Sequence, residues 1–301
     1  MGSRPYVIAV VNQKGGVGKT TTAVNVAACL AAAERMTLLI DIDPQANASS
    51  AYGISRAEQQ VYDALIDEIP LRECAIPTEL ETLHLVPAGQ DLVGAEIELV
   101  SKERREFCLR RSIEALGEAY DLVLIDCPPS LGLLTLNALT AADAVIIPLQ
   151  CEYYALEGLA NLTETIELVR AQLNPPLVIQ GIVLTMVDQR NNLAKQVEAE
   201  VRSHFGDKVY RTRIPRNIRL SEAPSHGQPI LLYDIHSKGA VAYTKLAEEL
   251  LIQLSRLEPT HPPTHPPAQR APDSSARLRS SPSSTQGHTP DPIGDLDGST
   301  S

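Results

Sequence analysis

Aromatic residues are scarce in this chain, which has no tryptophan and only two phenylalanines. A buried core must therefore be built from Leu, Ile, Val and Ala. No apolar run approaches the roughly 18 residues of a membrane-spanning helix, so we expect none. The N-terminal stretch MGSRPYVIAVV turns polar too quickly for a signal peptide, so we expect a cytoplasmic protein.

Paired cysteines are also missing. The five cysteines are odd in number, are scattered along the chain and form no C-x-x-C pair. This pattern argues against a disulfide framework and favours reduced thiols in the cytoplasm.

Large apolar side chains are almost absent from residues 258–301, which contain 9 of the 22 prolines. Such a segment cannot bury enough surface to offset its conformational entropy. We therefore divide the chain into one domain, 1–257, and a disordered Pro/Ser-rich tail, 258–301.

The domain alternates short apolar runs with amphipathic stretches. The predicted strands are 6–11, 37–43, 83–88, 121–129, 144–149, 177–186 and 209–215; the predicted helices are 19–33, 91–118, 156–173, 192–205 and 240–257. This alternation is typical of βαβ units. We predict an α/β, P-loop NTPase-like fold: a mostly parallel twisted sheet with helices on both faces.

The stretch QKGGVGKTTT, residues 13–22, nearly matches the phosphate-loop pattern G-x-x-x-x-G-K-[ST], with Gln13 where the pattern has glycine. Its glycines follow a strand and precede a helix, so backbone N–H groups can converge on phosphate oxygens. Lys19 is placed to bridge the β- and γ-phosphates, and Thr20 to bind Mg²⁺. Lys14 is an additional lysine that the general pattern does not require.

Carboxylates stand at the ends of two predicted strands. Asp41 and Asp43 end the strand 37–43, and Asp126 ends LVLID. Strand alternation puts Asp41 and Asp43 on the same side. Because Mg²⁺ prefers oxygen ligands, these strand ends predict a metal site beside the phosphate loop, with Asp126 acting through water.

Four motifs in order resemble one known family. KGGVGKTTT (14–22), DIDPQAN (41–47), LIDCPPSLGLLTLNAL (124–139) and IPRNIRLSEAPSHGQPI (214–230) closely resemble the ParA/Soj chromosome-partitioning ATPases, a branch of the deviant Walker A ATPases. The resemblance runs over essentially all of residues 5–255. It does not include the proline-rich tail.

The resemblance implies roles for individual residues. Lys14 resembles the signature lysine that reaches the partner subunit's ATP, and Asp43 the aspartate that orients the attacking water. Asp126 resembles the Walker B residue, which with Thr20 serves Mg²⁺. The implied nucleotide-binding set is Lys14, Gly15, Gly16, Val17, Gly18, Lys19, Thr20, Thr21, Pro215 and Asn217, the last two around the adenine. Arg190 and Arg219 resemble the family's DNA-binding arginines.

The same resemblance implies a cycle. A Mg²⁺-dependent ATPase would form a sandwich homodimer with ATP and bind double-stranded DNA without sequence preference. A ParB-type DNA-binding protein would stimulate hydrolysis and release the dimer. Such a protein would be cytoplasmic and associated with the nucleoid, and no membrane partner is expected.

The net charge of −11 argues at first against DNA binding. The distribution of charge matters more than the sum. Residues 188–219 hold eight basic and four acidic residues, a local excess of positive charge. A positive surface on an acidic body suits weak, salt-sensitive phosphate binding.

Three other activities use a similar loop. A membrane-positioning ATPase of the MinD type would end in a basic amphipathic helix, whereas the last predicted helix carries Glu248 and Glu249. An iron-cluster protein of the nitrogenase kind would need bridging cysteines, for which Cys127 and Cys151 are the candidates. A metabolic ligase would need a substrate pocket that the sequence does not reveal.

Overall fold

A computed structural model describes residues 4–188 and 190–256 of the chain. The strands are β1 (Tyr6–Val10), β2 (Thr37–Asp41), β3 (Ile76–Pro77), β4 (Leu83–Val86), β5 (Leu122–Asp126), β6 (Ala144–Gln150), β7 (Val178–Val187) and β8 (Val209–Pro215). The α-helices are α1 (Lys19–Ala32), α2 (Asn47–Ala51), α3 (Val61–Ile66), α4 (Leu92–Leu99), α5 (Cys108–Glu114), α6 (Leu133–Ala141), α7 (Ala155–Gln172), α8 (Asn192–Phe205), α9 (Ile218–Glu222), α10 (Ile230–Tyr233) and α11 (Lys238–Ser255). The predicted tail, 258–301, lies outside the described residues and stays a prediction.

The strands form one sheet in the order β3-β4-β2-β5-β1-β6-β7-β8. All neighbouring pairs are parallel except β3 with β4. The predicted mostly parallel α/β sheet is therefore confirmed. Parallel strands bring their carboxyl ends to one edge, where sites of this fold class are built.

Helices cover both faces of the sheet. Alternate side chains of β1 enter different clusters: Val7 and Ala9 face one side, Ile8 and Val10 the other. On the second side they meet α1 and α11, and on the first side α5, α6 and α7. Both clusters are largely aliphatic, in keeping with the scarcity of aromatic residues.

Three predicted elements are wrong in extent, one of them the strand predicted over 121–129, which ends at Asp126. The helix predicted over 91–118 is two helices, α4 and α5, joined by the 3₁₀ turn Arg105–Phe107. Arg104 between them has φ +51°, a left-handed conformation that a continuous α-helix cannot contain. The strand predicted over 37–43 ends at Asp41, because the chain turns there toward α2.

Candidate functional site

The turn between β1 and α1 is shaped by glycines. Gly16 and Gly18 have φ of +73° and +89°, conformations that residues with a side chain rarely adopt. Gly18 is the N-cap of α1, where it supplies no side chain to the first N–H groups, and the first turn carries no acidic residue. The helix start is therefore open to an anion.

Side chains from the neighbouring strands hold this turn in place. Asn12 donates from Nδ2 to the Pro148 carbonyl at 2.7 Å and accepts from the Lys14 N–H at 2.9 Å. The Thr185 hydroxyl donates to the Val17 carbonyl at 2.8 Å. The loop is thus anchored to β6 and β7.

Lys19 lies inside the site and is only 7% exposed. Its Nζ donates to the Lys14 carbonyl at 3.2 Å. Burial lowers the pKa of Lys19, while Asp126 and Asp43 oppose that shift. Its ammonium is therefore a desolvated charge at the start of α1, where it acts more strongly on a phosphate than it would in water.

Asp41 is fully buried at the end of β2 and is engaged in local structure. Its carboxylate accepts from the Ser49 N–H at 2.8 Å, the Ser49 hydroxyl at 2.7 Å and the Asp43 N–H at 3.1 Å. Burial raises its pKa to about 6, partly offset by these hydrogen bonds. Asp41 thus orders the turn that carries Asp43 and leads into α2.

Asp126 is the residue that best fits a metal. It lies at the end of β5, in register with Asp41 and Val10, and is fully buried. No described residue donates a hydrogen bond of normal geometry to either of its carboxylate oxygens. Burial, followed by the charge of Asp41, raises its pKa well above the usual value, although the nearby Thr20 hydroxyl partly opposes this.

Orphaned buried oxygens require an explanation. A Mg²⁺ with its water shell between Thr20 and Asp126 would satisfy them and offset the negative charge. Among the residues described, no group of three or more His, Cys, Asp or Glu is arranged to hold a metal alone. Phosphate oxygens would therefore have to supply part of the coordination shell.

Lys14 differs from Lys19 in its exposure and in its partner. Its side chain is 45% exposed and forms an ion pair with Glu152, just after β6. Beside Glu152, Tyr153 and Tyr154 are 74% and 68% exposed and meet edge to face, with ring centroids 5.0 Å apart. Lys14 therefore lies on an exposed surface with an aromatic pair, not inside the loop.

A cavity of about 290 Å³ borders the phosphate loop. Thr20, Thr21 and Asn25 line it from α1, and Leu220 and Ala223 from the α9 region. Pro215 and Asn217, which the resemblance assigns to the adenine, do not line this cavity. Asn217 is the N-cap of α9 and accepts the Arg219 N–H at 2.8 Å; its contact with a nucleotide stays a prediction.

The two predicted DNA-binding arginines lie on different elements: Arg190 follows β7, and Arg219 lies on α9, the helix that borders the cavity beside the start of α1. Arg190 is exposed just after β7, and its backbone N–H donates to Asp188 at 3.0 Å. Arg219 is half exposed on α9 and forms ion pairs with Glu222 and Asp234. The structure leaves their role in DNA binding a prediction.

All five cysteines are free and buried. Cys127 and Cys151 are 0% and 7% exposed and belong to the same hydrophobic cluster. They therefore behave as small apolar side chains.

Several site residues were not predicted from the sequence: Asn12, Glu152, Thr185, Glu222 and Asp234. Glu152 is 138 positions from Lys14, and Thr185 is 168 positions from Val17. No local pattern marks such partners, because only the sheet order brings them to the loop.

The fold and the anchored phosphate loop define this chain as a P-loop nucleoside triphosphatase fold with a second, outward-facing lysine. A family model described as an AAA domain matches residues 5–179. The chromosome partitioning protein ParA of Myxococcus xanthus is 58% identical over 247 residues, covering 81% of this chain and 87% of that protein. The sporulation initiation inhibitor protein Soj of Bacillus subtilis is 57% identical over 246 residues, covering 81% and 97%. The chain belongs to the ParA/Soj family.

A solved structure supports the same fold. Cobyrinic acid a,c-diamide synthase from Mycobacterium smegmatis, with a bound ATP analogue and magnesium, aligns with a TM-score of 0.74 at 36% identity, covering 84% of this chain and 97% of that one. Within 4–188 and 190–256, no helix combines the length and apolar character needed to cross a membrane.

Proposed function

We propose that this chain is a Mg²⁺-dependent ATPase that segregates a chromosome or plasmid, switching between a free subunit and an ATP-bound sandwich dimer on DNA. The observation that carries the proposal is the division of labour between the two lysines of one loop. Lys19 is buried beside Asp43 and Asp126, whereas Lys14 is exposed and bound to Glu152. An exposed lysine whose ammonium pairs with a carboxylate at the surface is suited to serve another subunit.

The residues of the chain divide the chemistry between them. The N–H groups at the start of α1 and the Lys19 ammonium would bind and orient the phosphates. Asp43, held by its hydrogen bond from the Gln45 N–H, would position the attacking water. Mg²⁺, held by Thr20 and through water by Asp126, would neutralise charge on the phosphate oxygens.

Hydrolysis would depend on the second subunit. Phosphoryl transfer is catalysed mainly by positioning and by positive charge near the transferred group. If Lys14 of each subunit supplies that charge to the other, turnover requires dimerisation. The exposed pair Tyr153 and Tyr154 beside Lys14 is of the kind that contact surfaces use.

DNA binding is supported by the charge distribution at the β7–β8 end. Within the described part of the chain, no ion pair joins a carboxylate to any of five basic residues of this segment: Arg190, Lys195, Lys208, Arg211 and Arg216. All five are exposed. Exposed cations without ion pairs are suited to contact DNA phosphates, and phosphate contacts do not depend on base sequence.

Partitioning is favoured over a metabolic ligase by the relatives. Two proteins named for partitioning or sporulation control are 58% and 57% identical, against 36% for the structure named as a diamide synthase. The late segment IPRNIRLSEAPSHGQPI also resembles the partitioning branch.

One set of measurements tests the proposal with the full chain. We expect a dimer by light scattering with ATP and Mg²⁺ and a monomer with ADP. Only the dimer should bind random-sequence duplex DNA, and the ParB-type protein of the same organism should accelerate hydrolysis. A protein that stays monomeric with ATP, or that cosediments with lipid vesicles instead of binding DNA, would contradict it.

A further inference from the structure

Arg219 differs from Arg190, Arg211 and Arg216 of the basic segment 188–219 in having carboxylate ion-pair partners, whereas Arg202 and Arg213 share Glu198. Its Nη1 lies 2.9 Å from Oε2 of Glu222, and its Nε lies 3.5 Å from Oδ2 of Asp234. The Tyr233 hydroxyl also donates to Glu222 Oε2 at 3.3 Å, which orients that carboxylate. Two carboxylates therefore form ion pairs with one guanidinium. We refer to Arg219, Glu222 and Asp234 as the arginine clamp.

The clamp changes how Arg219 meets a polyanion. The three ionised side chains sum to a charge of −1, so a phosphate approaching them meets a net negative group. Arg190, by contrast, presents a guanidinium for which the described residues offer no ion pair. The two arginines that the resemblance pairs are therefore not equivalent in the free subunit.

The clamp is also close to the nucleotide site. Leu220, the residue after Arg219, lines the cavity that Thr20 and Thr21 border. The helix carrying Arg219 thus shares a cavity with the start of α1. A nucleotide bound in this cavity would lie next to the helix that carries the clamp.

We propose that Glu222 and Asp234 set the DNA affinity of this surface by holding Arg219, so that binding exchanges a carboxylate for a DNA phosphate. This inference rests on the proposed DNA binding and adds which residues limit it. A clamp of this kind makes the free subunit a weak DNA binder without removing the arginine.

The test compares charge-neutralising variants on one duplex. With ATP and Mg²⁺, Glu222→Gln and Asp234→Asn should each bind random-sequence duplex DNA about three- to tenfold more tightly near 100 mM salt. The dependence of log K on log salt should stay unchanged, because Arg219 contacts one phosphate in the wild type and in both variants, and should weaken by about 0.9 for each Arg219 that is replaced by Ala. Glu200→Gln is the control for charge alone, since Glu200 is an exposed carboxylate of the basic segment 188–219 and the structure shows no side-chain ion pair for it.

Two further measurements separate the clamp from general charge. The gain should vanish in the Arg219→Ala background, as a double-mutant cycle requires. Thermal melting and ATP affinity should match those of the wild type, which excludes a folding defect.

The outcomes are distinguishable. Weaker binding by Glu222→Gln, a gain equal to that of Glu200→Gln, or a gain that persists without Arg219 would overturn the clamp alone. Failure of the wild-type ATP form to bind duplex DNA even at low salt would overturn the proposed function, and the clamp with it.

Discussion

Charged side chains are buried at the centre of the sheet's carboxyl edge and exposed at the β7–β8 end of the sheet. At the centre, Lys19, Asp43 and Asp126 are all less than a tenth exposed. At the β7–β8 end, Arg190 and Arg216, which follow these strands, face solvent. Buried charges act strongly at short range, whereas exposed charges act weakly and are screened by salt.

This difference separates two tasks in one chain. The central site is suited to hold and activate a nucleotide, because its charges are desolvated and fixed by packing. The β7–β8 surface is suited to reversible association, because its charges can exchange partners. Lys14 is an exposed charge on the same loop that leads to the buried Lys19, so it connects the two tasks.

The largest effect should come from Lys19→Ala. Removing this buried cation should weaken ATP binding about 30-fold or more and abolish every later step, because Asp43 and Asp126 would then face the phosphates uncompensated. A fluorescent ATP analogue measures the affinity. ATP affinity within a few-fold of wild type would show that Lys19 does not hold the phosphates.

Lys14→Ala is the matched substitution five residues earlier. It should leave ATP binding by the monomer within a few-fold of wild type, yet reduce partner-stimulated hydrolysis about a hundredfold or more. Steady-state phosphate release with DNA and the ParB-type protein measures this. Normal stimulated turnover would show that Lys14 does not act on the ATP of the partner subunit. Equal loss of ATP binding in Lys14→Ala and Lys19→Ala would show that the two lysines do not have separate roles.

Asp43→Ala should reduce hydrolysis while leaving ATP binding and dimer formation intact. Without the carboxylate that positions water, the ATP dimer should form but persist, so hydrolysis falls while dimer and DNA-bound fractions rise. Light scattering over time after ATP addition follows the dimer. A variant that stays monomeric with ATP would indicate that Asp43 shapes the fold or the interface instead.

How far the sequence predicts each region follows from the range of its interactions. The phosphate loop is local: GGVGKT specifies its own turn and helix start, so β1, α1 and the positions of Lys19 and Thr20 were predictable. The parallel sheet was predictable from strand–helix alternation. The break at Arg104 was not, because the packing of α4 and α5 against α3 and α6 outweighs helix propensity there.

The partners of the charged residues were not predictable. Asp41 was a possible metal residue from its strand position, but the structure occupies its carboxylate with Ser49 and the Asp43 N–H. Glu152 meets Lys14 only because β6 lies beside β1 in the sheet. Pairings of this kind depend on strand order, which a single sequence does not encode as a local pattern.

The smallest effect concerns stability without nucleotide. Burial raises the pKa of Asp41 to about 6 and that of Asp126 well above its usual value. The folded state therefore holds protons that the unfolded state releases above about pH 4, so stability from these groups is lost as the pH rises through about 6.

Asp126→Asn removes one of these two groups. The variant should therefore match the wild type near pH 4 and be more stable at pH 7.5 by about 1–3 kcal/mol, measured by urea unfolding without Mg²⁺. Glu81→Gln is the control and should show no such gain, because Glu81 is exposed to solvent. With ATP and Mg²⁺ the ranking should reverse, since only the wild type keeps the Asp126 carboxylate for the metal. An identical pH dependence in wild type and Asp126→Asn would mean that burial of the Asp126 charge costs no stability. Charges at the buried centre would then cost little more than charges at the exposed β7–β8 end.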